Sequence, residues 1–397
     1  MKRILLVSKF YYTRGGAEVV AINMANDLAK RGYEIGVFTM DYPQNLSPAN
    51  FYTASQVDFS GGLIDKLKFA MRTMGYNGIK SSFKRALQEF KPDIVHLHNV
   101  HSYLSPVVVK LAKEFGCKVV WTLHDLKLAC PSYSCLNRGR ICEKCFTSKI
   151  NVVKERCFKE NLPASVLAYF EAVKWNVKKL QRYVDYFVCP SAFIKRQMLK
   201  AGLQEGKLKV VCNFVDPIKL DQLKRAEIPD TRDDFYVYVG RLSEEKGVAT
   251  LLKAAKDLPY KLKLVGGGHL YDGFIAEYGN CDNIEFMGHQ PAEKVAEILL
   301  SAKCLVLPSE CYENNPLSVI EALCAGIPIV GANIGGIPEL IDAEWGETFE
   351  SGNVEDMQQA ITRVMAKEKY DYKSIAKRSQ ERFSFELHFK QLKELYR

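Results

Sequence analysis

Short apolar runs rich in isoleucine, leucine and valine alternate with longer stretches of helical periodicity almost from end to end of the chain. Residues 3–8, centred on Ile4-Leu5-Leu6-Val7, read as a strand, and 17–31 as a helix closed by Gly32. Residues 35–39, 94–98, 119–123 and 186–189 follow as strands, with helical patterns between most of them. A second series begins at 235–239 and continues through 263–265, 284–286, 304–307 and 329–331. Strands regularly separated by helices specify a parallel sheet covered on both faces.

Residues 215–234, polar and carrying Pro217 and Pro229, separate the two series and read as a linker. The expected fold class is α/β, with two doubly wound, Rossmann-like parallel-sheet domains facing a central cleft. The first domain is placed at 1–216 and the second at 217–373. The amphipathic stretch 374–397 is expected to be helical and to pack back on the first domain. Ligands of such sheets sit beyond the carboxyl ends of the strands, which makes the cleft the expected site.

At 397 residues the chain has room for two cores, and its 47% apolar and 25% charged composition is that of a soluble globular protein. The N-terminal apolar run is too short for a signal-peptide core, and no stretch approaches the roughly 18 apolar residues of a spanning helix. A cytoplasmic protein is expected. The net charge of +9 is unevenly spread. Residues 1–216 carry 33 Lys and Arg against 17 Asp and Glu, a balance of +16, while the remainder carries 22 against 29, a balance of −7. The basic half is expected to meet something anionic, either a membrane surface or a phosphorylated acceptor, unless it is simply a solvated lysine-rich face. Nucleic acid is not expected, because no nucleic-acid motif is present.

Candidate chemistry falls at the strand ends. The strand at 304–307 is followed by a loop containing Glu313-Asn314-Asn315-Pro316-Leu317, then by a helix containing Glu321. Asn315 is expected to cap that helix with Pro316 as its first residue, and Gly326 to end it. Backbone N–H groups at such a start form an anion seat, which suits a diphosphate, and a nearby carboxylate suits hydroxyl groups. Arg241 and Lys246, after the strand at 235–239, could offset charge on a departing diphosphate without a metal. Leu264-Val-Gly-Gly-Gly-His269 and Phe286-Met-Gly-His289 allow close backbone approach, with Gly288 placed to read a base. In the first domain, Gly15 and Gly16 open a helix but lack the dinucleotide fingerprint spacing. His124, in Thr122-Leu-His-Asp125, could orient a sugar hydroxyl or move a proton, whereas His101 reads as structural.

Together these segments resemble the retaining GT-B glycosyltransferases of family four, also called glycosyl transferases group 1. The resemblance is carried by Gly15-Gly-Ala-Glu18, Thr122-Leu-His-Asp125, Asn213-Phe-Val-Asp216, Val239-Gly-Arg-Leu-Ser-Glu-Glu-Lys-Gly247, Glu313 with Glu321 eight positions on, and Glu339-Leu340-Ile341. It implies that Glu321 holds the ribose, Arg241 and Lys246 the diphosphate, Glu313 the donor sugar near the reacting carbon, and Gly16 the donor through its backbone. It places His124 beside the transferred sugar. It further implies a nucleotide-sugar donor, UDP- or GDP-linked, retention of configuration, no divalent ion, and a lipid-linked or glycan acceptor in polysaccharide or lipopolysaccharide assembly at the inner membrane face. Asn314-Asn315-Pro316 departs from the Gly-Phe or Gly-Leu of many members, so donor identity is open at that point. A sugar-nucleotide epimerase and a non-catalytic nucleotide-sugar-binding partner are the competing readings.

Residues 128–160 hold a dense group of cysteines: Cys130, Cys135, Cys142, Cys145 and Cys157. Some bacterial members of the family bear a similar insert. The spacing fits either a structural zinc with Cys130, Cys142, Cys145 and Cys157 as ligands and Cys135 as substitute, or a set of free thiols.

Overall fold

The computed structural model describes residues 2–397. The chain divides into two units. The first runs to Arg138, resumes over Cys142–Cys212 and takes in Phe389–Arg397; the second comprises Gly139–Ile141 and Asn213–His388.

In the first unit, apolar runs with both faces covered form the strands β1 (Arg3–Val7), β2 (Glu34–Met40), β3 (Phe51–Ala54), β4 (Ile94–Leu97), β5 (Lys118–Thr122), β6 (Tyr186–Cys189) and β7 (Leu208–Val210). They pair in parallel in the order β3-β2-β1-β4-β5-β6-β7. β1 is central, and Ile4 to Val7 are essentially inaccessible, as a parallel strand requires. The helices that matter below are α1 (Gly16–Lys30), α2 (Leu63–Thr73) and α3 (Leu162–Lys174). Strand order reverses between β1 and β4, so the loops after them diverge and leave a crevice at the carboxyl edge of the sheet.

The second unit repeats the plan. Its strands β8 (Asp233–Val239), β9 (Lys261–Val265), β10 (Ile284–Gly288), β11 (Ala302–Leu307), β12 (Ile329–Ala332) and β13 (Gly346–Phe349) run parallel in the order β10-β9-β8-β11-β12-β13. The switch point lies between β8 and β11. Both sheets are the Rossmann-like parallel sheets expected from the alternating pattern.

The stretch read as a linker is not one. It holds α4 (Pro217–Arg225), capped by Asp216, whose side chain accepts the Ile218 N–H at 2.8 Å. Val215, Leu220 and Leu223 are buried in the second core, which explains why the polar pattern misled: only the outer face of α4 is polar. The other helices of this unit used below are α5 (Val248–Ala255), α6 (Leu317–Cys324) and α7 (Tyr372–Arg382). A last helix, α8 (Phe385–Tyr396), begins with Phe385 and His388 against Phe214. It ends with Phe389 near Arg31 and Tyr33, and with the Tyr396 hydroxyl 2.5 Å from His96 Nδ1. Among the described residues, no helix is long and apolar enough to cross a membrane.

Candidate active site

Three strand-end loops of the second unit are laced together by backbone hydrogen bonds. Gly240 N–H donates to Val265, Leu242 N–H to Gly267, and Gly266 N–H to Gly288, at 2.8–3.0 Å. Glycine is needed for this approach: a Cβ on Gly266 would lie 1.9 Å from the Gly240 oxygen, and one on Gly268 2.2 Å from that of Leu242. Gly288 has a left-handed φ of 66°. The glycine loops therefore support the segment carrying Arg241 and Lys246.

That segment turns through Gly247 into α5, and a Cβ there would sit 1.9 Å from the Pro308 oxygen, so the loop after β8 lies directly on the loop after β11. The contact brings Lys246 Nζ to 2.6 Å from Glu313 Oε1, which also accepts from the Ser309 hydroxyl at 2.8 Å. Burial works against the Lys246 charge, but the Glu313 carboxylate, together with Cys311 and Glu245, outweighs it and holds the ammonium above the usual lysine range. Beside them, burial with help from Glu313 pushes the Cys311 thiol up to about 12. Arg241 is exposed and paired with Glu245 at 2.8 Å. The Glu313 backbone is fixed by Gly335 and Gly336: the Gly336 N–H donates to its carbonyl at 2.7 Å, and Gly335 leaves no room for a Cβ beside it. Ser309 and this glycine pair carry no chemistry that spacing alone makes legible. Nothing in the local sequence pattern marks Gly335 and Gly336.

Helix α6 starts one residue later than expected. Pro316 is extended at its ψ and takes the N-cap position, and Leu317 is the first helical residue. Asn315 does not cap it. Its side-chain oxygen accepts the Asn213 N–H, and its carbonyl accepts from the Asn213 amide, both at 2.9 Å. Asn314 and Pro316 flank this buried residue and are partly exposed. Gly326 does end the helix, at φ 84°. The first N–H groups of α6, from Leu317 on, have no carbonyl within the helix and begin four positions after Glu313 in the chain. Glu321 is partly buried and bonded to Lys219 of α4 at 2.5 Å, a partner hidden from sequence reasoning because the polar pattern of 215–234 reads as a linker.

In the first unit, Gly15 is the extended N-cap of α1 and Gly16 its first residue. His124 follows β5, and its Nε2 lies 2.8 Å from Nδ1 of His98, which follows β4. Burial lowers the His124 pKa to about 4, so the ring is neutral at physiological pH; Asp125 opposes the shift and Lys9 adds to it. His98 was not singled out from sequence, although its place one strand over from His124 at the same sheet edge is what pairs them. His101 lies inward, its Nδ1 3.9 Å from Glu171, which is buried with Lys127 at 3.2 Å.

The cysteine group assembles differently from the ligand set Cys130, Cys142, Cys145 and Cys157. The Cys130 thiol is hydrogen-bonded by those of Cys135 and Cys145, which favours its thiolate and raises the other two. Cys142 instead donates its backbone N–H to the Cys135 carbonyl at 2.8 Å, and Cys157 stands within electrostatic range. Among the described residues, no group of three or more His, Cys, Asp or Glu side chains is arranged to hold a metal ion.

Comparison with known proteins gives this geometry a family. Residues 14–219 match the model for Glycosyltransferase Family 4, and residues 221–382 that for Glycosyl transferases group 1. An uncharacterised 42.6 kDa protein of the cps region of Klebsiella pneumoniae is 25% identical over 356 residues, spanning 85% of this chain and 87% of that one. The fold is similar to that of the lipopolysaccharide outer core galactosyltransferase WaaB (TM-score 0.69, 21% identity, 100% of this chain and 99% of that one). It is also similar to Anabaena HepE in complex with UDP and glucose (TM-score 0.65, 17% identity, 99% of each chain). A family model that covers more than half of the chain, with a second covering most of the rest, shows that this protein belongs to glycosyltransferase family four and is a glycosyltransferase of the GT-B fold.

Proposed function

We propose that the enzyme transfers a sugar, with retention of configuration, from a UDP- or GDP-sugar to a lipid-linked or glycan acceptor in surface polysaccharide or lipopolysaccharide assembly. The observation that carries the reading is the cation and carboxylate array of Lys246, Glu313 and Ser309 at the switch point, next to the start of α6. The cps-region relative, WaaB and the UDP-bound HepE support the pathway and donor classes.

In this mechanism the donor diphosphate takes Arg241 and Lys246 as counter-charges, exchanging their present carboxylate partners for phosphate oxygens. The N–H groups at Leu317 and beyond, with Asn314, Asn315 and Pro316 shaping the approach, add a second anion contact. Glu321 accepts from the ribose hydroxyls, Gly288 lies at the base, and Glu313 accepts from sugar hydroxyls near the anomeric carbon. Gly15 and Gly16 give backbone contacts to the donor, and His124, neutral, hydrogen-bonds the transferred sugar. The bond from the anomeric carbon to the phosphate oxygen breaks as the acceptor oxygen bonds the same face. The acceptor proton passes to the departing phosphate, so no divalent ion and no charged histidine are needed. The enzyme works at the inner membrane face, held there peripherally. Retention of Arg241, Lys246, Glu313 and Glu321 argues against a non-catalytic binding partner.

Calorimetric titration with UDP-, GDP-, dTDP- and ADP-sugars, with Glu321→Ala alongside, tests the assignment. One base should be selected, and the variant should bind it at least about tenfold more weakly, the loss expected for a charged hydrogen-bond partner. Binding of no donor, or equal binding by the variant, overturns the site. Interconversion of a free donor without transfer would favour the epimerase reading.

A further inference from the structure

Helix α2 is amphipathic in the wrong sense for a helix that serves only its own core. Leu63 (85% exposed), Ile64 (69%), Leu67 (61%) and Met71 (44%) fall within about a 100° arc of one face, and that face is open. The inward face is held by Phe69, Arg72 and Thr73. Arg72 is fully buried and donates to the carbonyls of Asn77 and Tyr103 and to the Ser55 hydroxyl. Phe69 packs on Phe59 and Tyr103, and the Trp175 indole N–H donates to the Thr73 carbonyl. These anchors fix the rotation of α2, so the apolar stripe cannot roll inward.

Helix α3, whose end is tied to α2 by Lys174 donating to the Met74 carbonyl at 2.6 Å, also exposes Leu162, Phe170 and Val173. Seven of the seventeen exposed large apolar residues among those described lie on these two helices, four of them on the single face of α2. Lys66 and Lys68 flank the stripe, both exposed. Exposed Tyr76 lies between Lys80 and Lys174, 5.1 and 4.5 Å from its ring centroid. An apolar stripe bordered by lysines, with an aromatic ring at its margin, is the arrangement that seats a helix in the headgroup layer of an anionic bilayer.

We propose that the outer face of α2 is the surface by which the enzyme docks on an anionic membrane. This deepens the lipid-side reading above by naming its docking surface, and it does not depend on the donor.

Full-length protein would be sedimented with phosphatidylcholine vesicles, with and without phosphatidylglycerol, together with Ile64→Gln/Leu67→Gln and Lys66→Gln/Lys68→Gln variants. These side chains are solvent-exposed, so folding and nucleotide binding should be unchanged, and titration of the same samples with UDP and with GDP checks both. The parent should bind the phosphatidylglycerol vesicles, and each double variant should bind roughly tenfold or more weakly. Failure of the parent to bind, or parental binding by the Ile64/Leu67 variant, overturns the proposal. So would light scattering showing a parent dimer that the same variant dissociates, since the stripe would then be a self-association surface. Failure of the parent to bind either UDP or GDP would instead count against the donor reading.

Discussion

At the scale of single residues, two glycines separate the requirement for a left-handed backbone from the requirement for space. Gly32 and Gly247 both have left-handed φ, 85° and 67°. Nothing lies within 4 Å of a Cβ built on Gly32, whereas one on Gly247 would meet the Pro308 carbonyl. Gly32→Ala should therefore cost only the backbone term, about 1 kcal/mol. Gly247→Ala must also push apart the loops carrying Lys246 and Glu313, and should cost more than about 3 kcal/mol. Urea unfolding gives both costs, and donor turnover should fall at least tenfold for Gly247→Ala only, because the 2.6 Å Lys246–Glu313 bond spans the contact it breaks. Equal behaviour of the two variants would mean that the apposition of these loops is not what holds the site.

At the scale of elements, what was legible depended on how strong a pattern each segment carries alone. β1, β5 and β11 are dense apolar runs buried on both faces, and their positions follow from composition to within a residue or two. The edge strands β3, β7 and β13, Phe51-Tyr-Thr-Ala54, Leu208-Lys-Val210 and Gly346-Glu-Thr-Phe349, are short and mixed, and form because a neighbour offers a free edge. The same logic covers the site. Glu313, Arg241 and Lys246 stand in recognisable segments, but Lys219, His98 and Asn213 matter through partners 26 to 102 positions away in the chain. The cysteine insert shows the limit most clearly. Spacing leaves open either a zinc set of Cys130, Cys142, Cys145 and Cys157, with Cys135 as substitute, or free thiols, and it does not show that Cys135 and Cys145 are the partners of Cys130. Elemental analysis of protein purified without chelator separates the two readings that the spacing leaves open: well below one zinc per chain means a set of free thiols. A stoichiometric amount would instead restore the zinc reading, with Cys135 in place of Cys142.

At the scale of the whole molecule, pH is the variable that couples the buried polar groups to stability. His101 and His124 both have pKa values lowered to about 4, in each case chiefly by burial. Glu171 and Asp125 pull against the shift, most strongly Glu171 on His101 and Asp125 on His124, while Lys9 adds to it for both and Lys127 for His101. In the unfolded chain a histidine titrates near 6.5. The folded state therefore binds fewer protons than the unfolded state between these values. The stabilisation from neutral histidine is complete above about pH 6.5 and is lost as the pH falls from there toward 4. The shifts correspond to at most about 3 kcal/mol for each ring, so the sum is a large part of the stability of an ordinary domain. Glu171 acts in a lower window. Burial works against its charge, but Lys127, His101 and the Ser102 N–H hold its pKa below the usual glutamate value, so its contribution is lost only as the pH falls below about 4.5. Denaturant midpoints measured from pH 7.5 to 5 should thus decline above the window in which Glu171 acts, and His101→Asn should flatten that decline. Because all these groups belong to the first unit, the second should hold its midpoint over the same range, reported by the intrinsic fluorescence of Trp345 in a variant lacking Trp121 and Trp175. A midpoint that stays level from pH 7.5 to 5 would mean that water reaches both rings and that neither is held neutral by the fold.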